Sequence, residues 1–277
     1  MEIIDIIKEA FIFPSKNLEK LAIYIVLMVV IGILAMGGVF TGVFAVTDNN
    51  LYFILTAILA ILAIVISFII SGYQIGIIKS GIIQVDEAPS FDWANDLVTG
   101  IKMLVVNIVY FIIPTIVVAI MALVTNIPGQ LIEIGKQAAV TPANATAVAS
   151  GAAPIVTISD AAAASLATSV AITAIIGFIV FIIFAFLKTI GDARLANTGS
   201  LSEAVNVIEA FKDITRIGVG KVIAVILLSV IVVAVIQGIL GYLYGQIPQL
   251  SILSLIVTPY FAFFTNRVTG LLYSDIA

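Results

Sequence analysis

"LYFILTAILAILAIVISFIISGYQIGII", residues 51–78, decides the fold, because it contains no Asp, Glu, Lys or Arg. A helix rises 1.5 Å per residue, so this stretch reaches roughly 40 Å, more than the ~30 Å hydrocarbon layer of a bilayer. Its apolar residues fall all round the helix and leave no polar stripe for water. Barrel strands alternate apolar and polar residues over about ten positions, and no such alternation is present. The stretch reads as a transmembrane helix.

Working outward, residues 21–47, 103–132, 161–187 and 222–266 are also free of charge. The last run is interrupted by Gly245-Gln246-Ile247-Pro248-Gln249 and splits into spans at about 222–244 and 250–266. Six spans result. The whole chain of 277 residues is 62% hydrophobic and 10% charged, with mean hydropathy +1.27. Soluble proteins are about a quarter charged, so that class is excluded. There is no Cys and no His. Disulfides, thiolate nucleophiles, imidazole bases and His- or Cys-ligated metals are therefore excluded. Glu2, Asp5, Lys8, Glu9, Lys16, Glu19 and Lys20 fill the first 20 residues, where a cleavable signal would have its apolar core.

Six spans place both termini on one side. That side receives Lys8, Lys16, Lys20, Lys79, Lys102, Lys188, Arg194, Lys212, Arg216, Lys221 and Arg267, which is 11 of the 12 basic residues. Only Lys136 falls opposite. The positive-inside rule then predicts cytoplasmic termini. The long outer loop, about 125–160, contains "QAAVTPANATAVASGAAP" and reads as an exposed, mobile segment. Asn144-Ala145-Thr146 in it fits the N-glycosylation pattern, with Asn144 as acceptor.

The charged segments repeat. Residues 1–13 set Ile3, Ile4, Ile6, Ile7, Ala10 and Phe11 on one helical face and Glu2, Asp5, Lys8 and Glu9 on the other. Residues 89–102 set Ala94, Leu97, Val98 and Ile101 together, with Ser90 as N-cap and Asp92 in the first turn. Residues 199–216 have Ser200 and Glu203 at capping-box spacing. There the stripe is Leu201, Ala204, Val205, Ile208, Phe211 and Ile214, with Glu203, Asn206, Glu209, Lys212, Asp213 and Arg216 facing away. Each segment precedes two spans. Such helices lie in the membrane interface, where Trp93, Tyr73 and Tyr273 also belong.

Ionisable groups within spans mark ion or proton pathways, and these spans hold none. The polar residues Asn107, Gln237, Ser67, Thr173 and Ser229 serve as helix–helix hydrogen-bonding groups. Asn107 and Gln237 are the candidates for a polar intramembrane path, should one exist. Gly38/Gly42, Gly72/Gly76 and Gly241/Gly245 have the spacing that lets helices approach closely. Pro114 and Pro259 should kink or break their spans. Thr189-Ile190-Gly191-Asp192 lacks the first glycine and the partner Asp of an intramembrane aspartyl protease. Gly191-Asp192-Ala193-Arg194 lacks the paired upstream Asp residues of CDP-alcohol phosphotransferases. Asp92 and Asp96 read as solvated carboxylates. No catalytic residue, cofactor site or metal site is expected, and the chain does not read as an enzyme.

The segments 72–114 and 192–227 carry a Pro-Ser-Phe-Asp-Trp turn into a helix ending in Gly100-Ile-Lys102. They also carry a Gly-Ser-Leu-Ser-Glu-Ala cap whose helix ends in Arg216-Ile-Gly218. In these features the chain resembles an uncharacterised, mostly archaeal family of polytopic membrane proteins, domain of unknown function 4013. The resemblance implies an archaeal plasma membrane protein. It supplies no activity and carries over no functional residue.

The expected fold is all-α, a six-helix transmembrane bundle with three cytoplasmic interfacial amphipathic helices in a pseudo-threefold repeat. It forms a single integral membrane domain over 1–277, with repeat units of about 1–78, 89–187 and 199–268. Two functional classes stay open: a non-enzymatic membrane scaffold or partner-binding component, and a transporter or channel for a small or apolar solute. The expected partners are the lipid bilayer and an unidentified membrane or cytoplasmic protein, with no nucleic acid. The oligomeric state stays open.

Overall fold

The computed structural model describes residues 1–46, 50–139 and 159–277, and these form helices with no strand. In chain order they are α1 (Ile3–Lys16), α2 (Leu18–Ala45), α3 (Asn50–Ile82), α4 (Trp93–Val124), α5 (Ile127–Ala139), α6 (Asp160–Thr198), α7 (Leu201–Ala204), α8 (Val207–Ile217) and α9 (Val219–Gln246). A 3₁₀ turn at Pro248–Leu253 then leads into α10 (Ser254–Tyr273). Among the described residues, six helices are long and apolar enough to cross a membrane: α2, α3, α4, α6, α9 and the 3₁₀ turn with α10. Asn144 lies outside the described residues.

Several expectations change in detail. The uncharged run 103–132 does not form one helix. It stops at Val124, where Asn126 takes a positive φ of 54° that asparagine tolerates better than most residues, and α5 starts afresh at Ile127. Part of the expected mobile loop is therefore helical. The second amphipathic segment is not a separate element. From Trp93 it runs into its span as one helix that continues to Val124, although Pro114 removes one donor from the backbone ladder. The third is split at Val205-Asn206 into α7 and α8. Pro114 and Pro259 both sit inside continuous helices.

The chain divides into two compact units, Met1–Ile108 with Phe186–Ala277, and Val109–Ala185. In the second unit, Gln130 donates to Ser169 Oγ at 2.9 Å and Thr125 and Thr173 share a hydrogen bond of 3.2 Å. Bonds of this kind inside membranes are worth about 0.6 kcal/mol on average.

In the first unit, the Met1 ammonium donates to Asp275 at 3.1 Å, so the two chain ends meet. We refer to this end as the terminal face. Burial concentrates there. Along α3 the buried residues run from Ile69 to Ile82, and along α10 from Pro259 to Tyr273. Phe13, Leu21, Tyr24, Ile70, Tyr73, Ile77 and Phe263 form the core. Phe91 stacks on Tyr73 at 3.8 Å and 4°, and the Tyr73 hydroxyl donates to the Pro89 carbonyl at 3.0 Å. Tyr73 and Tyr273 are thus buried structural groups, not interfacial anchors.

Glycine sets two helix crossings. A Cβ on Gly72 would lie 1.8 Å from the Asp96 carbonyl oxygen, and one on Gly100 would lie 1.9 Å from that of Phe68. The backbones of α3 and α4 touch there. A Cβ on Gly270 would lie 2.1 Å from the Ile78 carbonyl oxygen, which sets α3 against α10. Of the three glycine pairs singled out by spacing, only Gly72/Gly76 is packed tightly, since Gly38, Gly241 and Gly245 face open space.

Candidate functional site

The charges of the terminal face are organised around two arginines. Arg267 of α10 is 0% exposed. Its guanidinium donates to Glu9 Oε1 at 2.5 Å, to the Val85 carbonyl at 2.7 Å and to Ser80 Oγ at 3.3 Å, and it lies 4.5 Å from the centre of the Phe13 ring. Its Nε has no hydrogen-bond partner among the described residues. One side chain thereby joins α1, the end of α3, the 83–92 connection and α10. A buried charge costs several kcal/mol unless it is paired and hydrogen-bonded, and these contacts together offset that cost.

Arg194, near the end of α6, is the second centre. It donates to Asp213 Oδ2 and to Glu203 Oε2, each at 2.5 Å, and to the Glu203 carbonyl at 2.8 Å. Asp213 also accepts from Arg216 at 2.8 Å and from the Tyr273 hydroxyl at 3.0 Å. The expected capping box therefore does not form: Glu203 turns to Arg194, and Asn206 caps α8 by accepting from the Glu209 N–H at 3.1 Å. Asp213 was expected to face away, yet it is buried with Ala210, Ile214 and Ile217. Ile208 and Phe211 are 70% and 59% exposed on another face of α8, where they suit a membrane interface.

Two lesser ties complete the face. Lys221 donates to Asp275, which also holds the Met1 ammonium. Partial burial works against the Asp275 carboxylate, but these two cations outweigh it and hold its pKa below the ordinary range. Lys16 donates to Asp86 at 2.9 Å and lowers the pKa of that carboxyl too. Asn17 bridges the Phe13 carbonyl, the Asp86 carbonyl and the Ala88 N–H.

Beside this network lies a two-lobed cleft. The larger lobe, about 470 Å³, is bounded by the end of α3, the 83–92 connection and the start of α4, and includes Lys79, Glu87, Asp92 and Asp96. The smaller, about 180 Å³, includes Lys79, Asp96, Thr99 and Lys102. Asp96 and Lys79 border both. Asp96 was expected to be solvated; it is 7% exposed. It accepts from the Asp92 N–H at 3.0 Å, while Asp92 accepts from the Asn95 N–H at 3.3 Å. Asp92, not Ser90, caps α4, and Asp96 returns the bond. No Lys or Arg among the described residues forms a salt bridge with Asp96.

Asn107 on α4 is half-buried and Gln237 on α9 is exposed. Neither hydrogen-bonds to another described residue, so the two are not brought together by polar contact. Gln237 borders a cleft of about 260 Å³ with Tyr244, Ser254 and Thr258. Asp192 pairs with Lys188 at 2.7 Å, and its other oxygen is buried without a partner. The roles of Arg267, Arg194 and Asp96 escaped sequence reading, although Arg267 stands out as a lone charge after 45 uncharged residues.

No curated protein matches the chain, and no solved structure does. A family model described as Protein of unknown function (DUF4013) matches residues 55–245, from within α3 to near the end of α9, and this range includes the residues that line both lobes of the cleft. Over more than half its length the sequence fits that model, and the chain belongs to the DUF4013 family.

Proposed function

We propose that the chain is a multi-pass protein of the archaeal plasma membrane that acts as a non-enzymatic scaffold or partner-binding component, with both termini in the cytoplasm. The observation that carries this reading is the cross-linking of the terminal face by buried ion pairs. Glu9–Arg267 ties the first helix to the tenth, Arg194–Asp213 ties the sixth to the eighth, and the Tyr273 hydroxyl on Asp213 joins the two pairs into one platform. A fixed, charged platform suits docking. Several hydroxyls along the spans bond to their own helix backbone, as in Ser67 to Ala63, Thr115 to Phe111 and Ser229 to Ile226. The cytoplasmic assignment rests on the 11 of 12 basic residues on that side.

The alternative, a transporter or channel for a small or apolar solute, has one observation in its favour. The Tyr244 hydroxyl, in the cleft beside Gln237, is buried without a partner. Two experiments separate the readings. Photo-crosslinkers at Lys8 and Lys212 should trap a discrete adduct in native membranes, while one at the lipid-facing Met36 should not. Vesicles containing the purified chain should show no ion or solute flux above empty vesicles. Chain-dependent flux without an adduct would replace the docking reading with transport.

A further inference from the structure

The cleft beside the platform has an uneven charge pattern. Its larger lobe sets Glu87, Asp92 and Asp96 against Lys79 alone. Its smaller lobe sets Lys79 and Lys102 against Asp96 alone. One end is net acidic, the other net basic, and Lys79 and Asp96 lie at the waist.

Asp96 is the unusual member. The close approach of α3 at Gly72 buries it, and its single hydrogen bond comes from the Asp92 N–H. A carboxylate removed from water without a cation is costly, and neighbouring Asp92 adds like-charge repulsion. An ammonium placed in the cleft relieves both. Lys79 is exposed and forms no salt bridge among the described residues, and Lys102 spends one donor on the Gly199 carbonyl at 2.8 Å. Both retain donors for an anion.

We propose that this cleft binds a zwitterionic aminophosphate, its primary ammonium against Asp96 and its phosphate against Lys79 and Lys102. The position fits a group carried at the membrane surface. Lys79 is the first charge after the uncharged run of α3, and Trp93, 52% exposed, marks the depth at which amphipathic rings favour the headgroup region. The same chemistry is offered by a phosphoethanolamine lipid headgroup and by free phosphoethanolamine. The cleft's chemistry is independent of what the platform docks.

Trp93 is the only Trp in the chain and adjoins Asp92, so it serves as a reporter. The full chain in detergent is titrated with phosphoethanolamine by Trp93 fluorescence and calorimetry, and the chain in nanodiscs is compared between phosphatidylethanolamine and phosphatidylcholine. A saturable response in detergent assigns the free molecule; a response confined to phosphatidylethanolamine discs assigns the headgroup. In either case Asp96→Asn, which keeps an acceptor for the Asp92 N–H, and Lys79→Ala, which removes an exposed side chain, should each weaken binding at least about tenfold, or about 1.4 kcal/mol. Helical circular dichroism confirms that the variants fold. No saturable response in either arm, an equal response to inorganic phosphate, or unchanged binding in both variants overturns the proposal.

Discussion

Arg267 and Glu9 are 258 positions apart in sequence, yet their side chains meet at 2.5 Å, with the arginine fully buried. The pair ties the last helix to the first. Glu9→Gln should cost about 3 kcal/mol, because the arginine stays buried without its counter-charge. The double variant Glu9→Gln with Arg267→Met should recover much of that loss, since no buried charge remains. Thermal unfolding in detergent reads the first effect, and hydrogen exchange along α1 locates it.

Asp213 makes the matching prediction at the second centre. Asp213→Asn weakens two arginine contacts at once and should destabilise by about 2–4 kcal/mol, with loss of exchange protection in α8. Arg216→Ala touches the same carboxylate from an exposed position and should cost less than about 1 kcal/mol. Equal losses in the two variants would show that burial is not what gives the cluster its weight.

The glycines separate cleanly. Gly72→Ala and Gly100→Ala would place a methyl within 2 Å of a facing carbonyl oxygen and should each cost more than about 2 kcal/mol by forcing α3 and α4 apart. Gly38→Ala and Gly241→Ala meet open space and should be neutral or stabilising by up to about 1 kcal/mol. Melting temperatures of the four variants test the contrast.

Acid should loosen the chain ends. The Asp275 carboxyl has a lower pKa folded than unfolded, so its contribution is complete above the unfolded value of about 3.9 and is lost as pH falls through the folded one. The group lies at the solvent edge, which keeps the effect below about 1 kcal/mol. Asp275→Asn should flatten the stability profile below about pH 4 and leave it parallel to the parent profile at neutral pH.

The spans were legible because a bilayer imposes length and apolarity on each helix separately, as in residues 51–78. Glycine spacing was a weaker guide. It picked out Gly72/Gly76, but Gly81, Gly100 and Gly270 take part in close crossings without a sequence partner at the right spacing, because contact depends on the facing helix. Periodicity sent Asp213 of α8 outward, whereas the structure buries it. The partner that holds Asp213 inside is Arg194 on another helix, and local spacing does not contain it. Asp96 was misplaced for the same reason, since its burial comes from Gly72 on α3.

The central claim is that the terminal face is one fixed platform. The chain has no cysteine, so spin labels can be placed at Lys8→Cys and Thr215→Cys without further changes. Pulsed electron resonance should give one narrow distance distribution, the same in detergent and in bilayers. Two populations, or a distance that changes with solute, would contradict the platform and favour the transport reading.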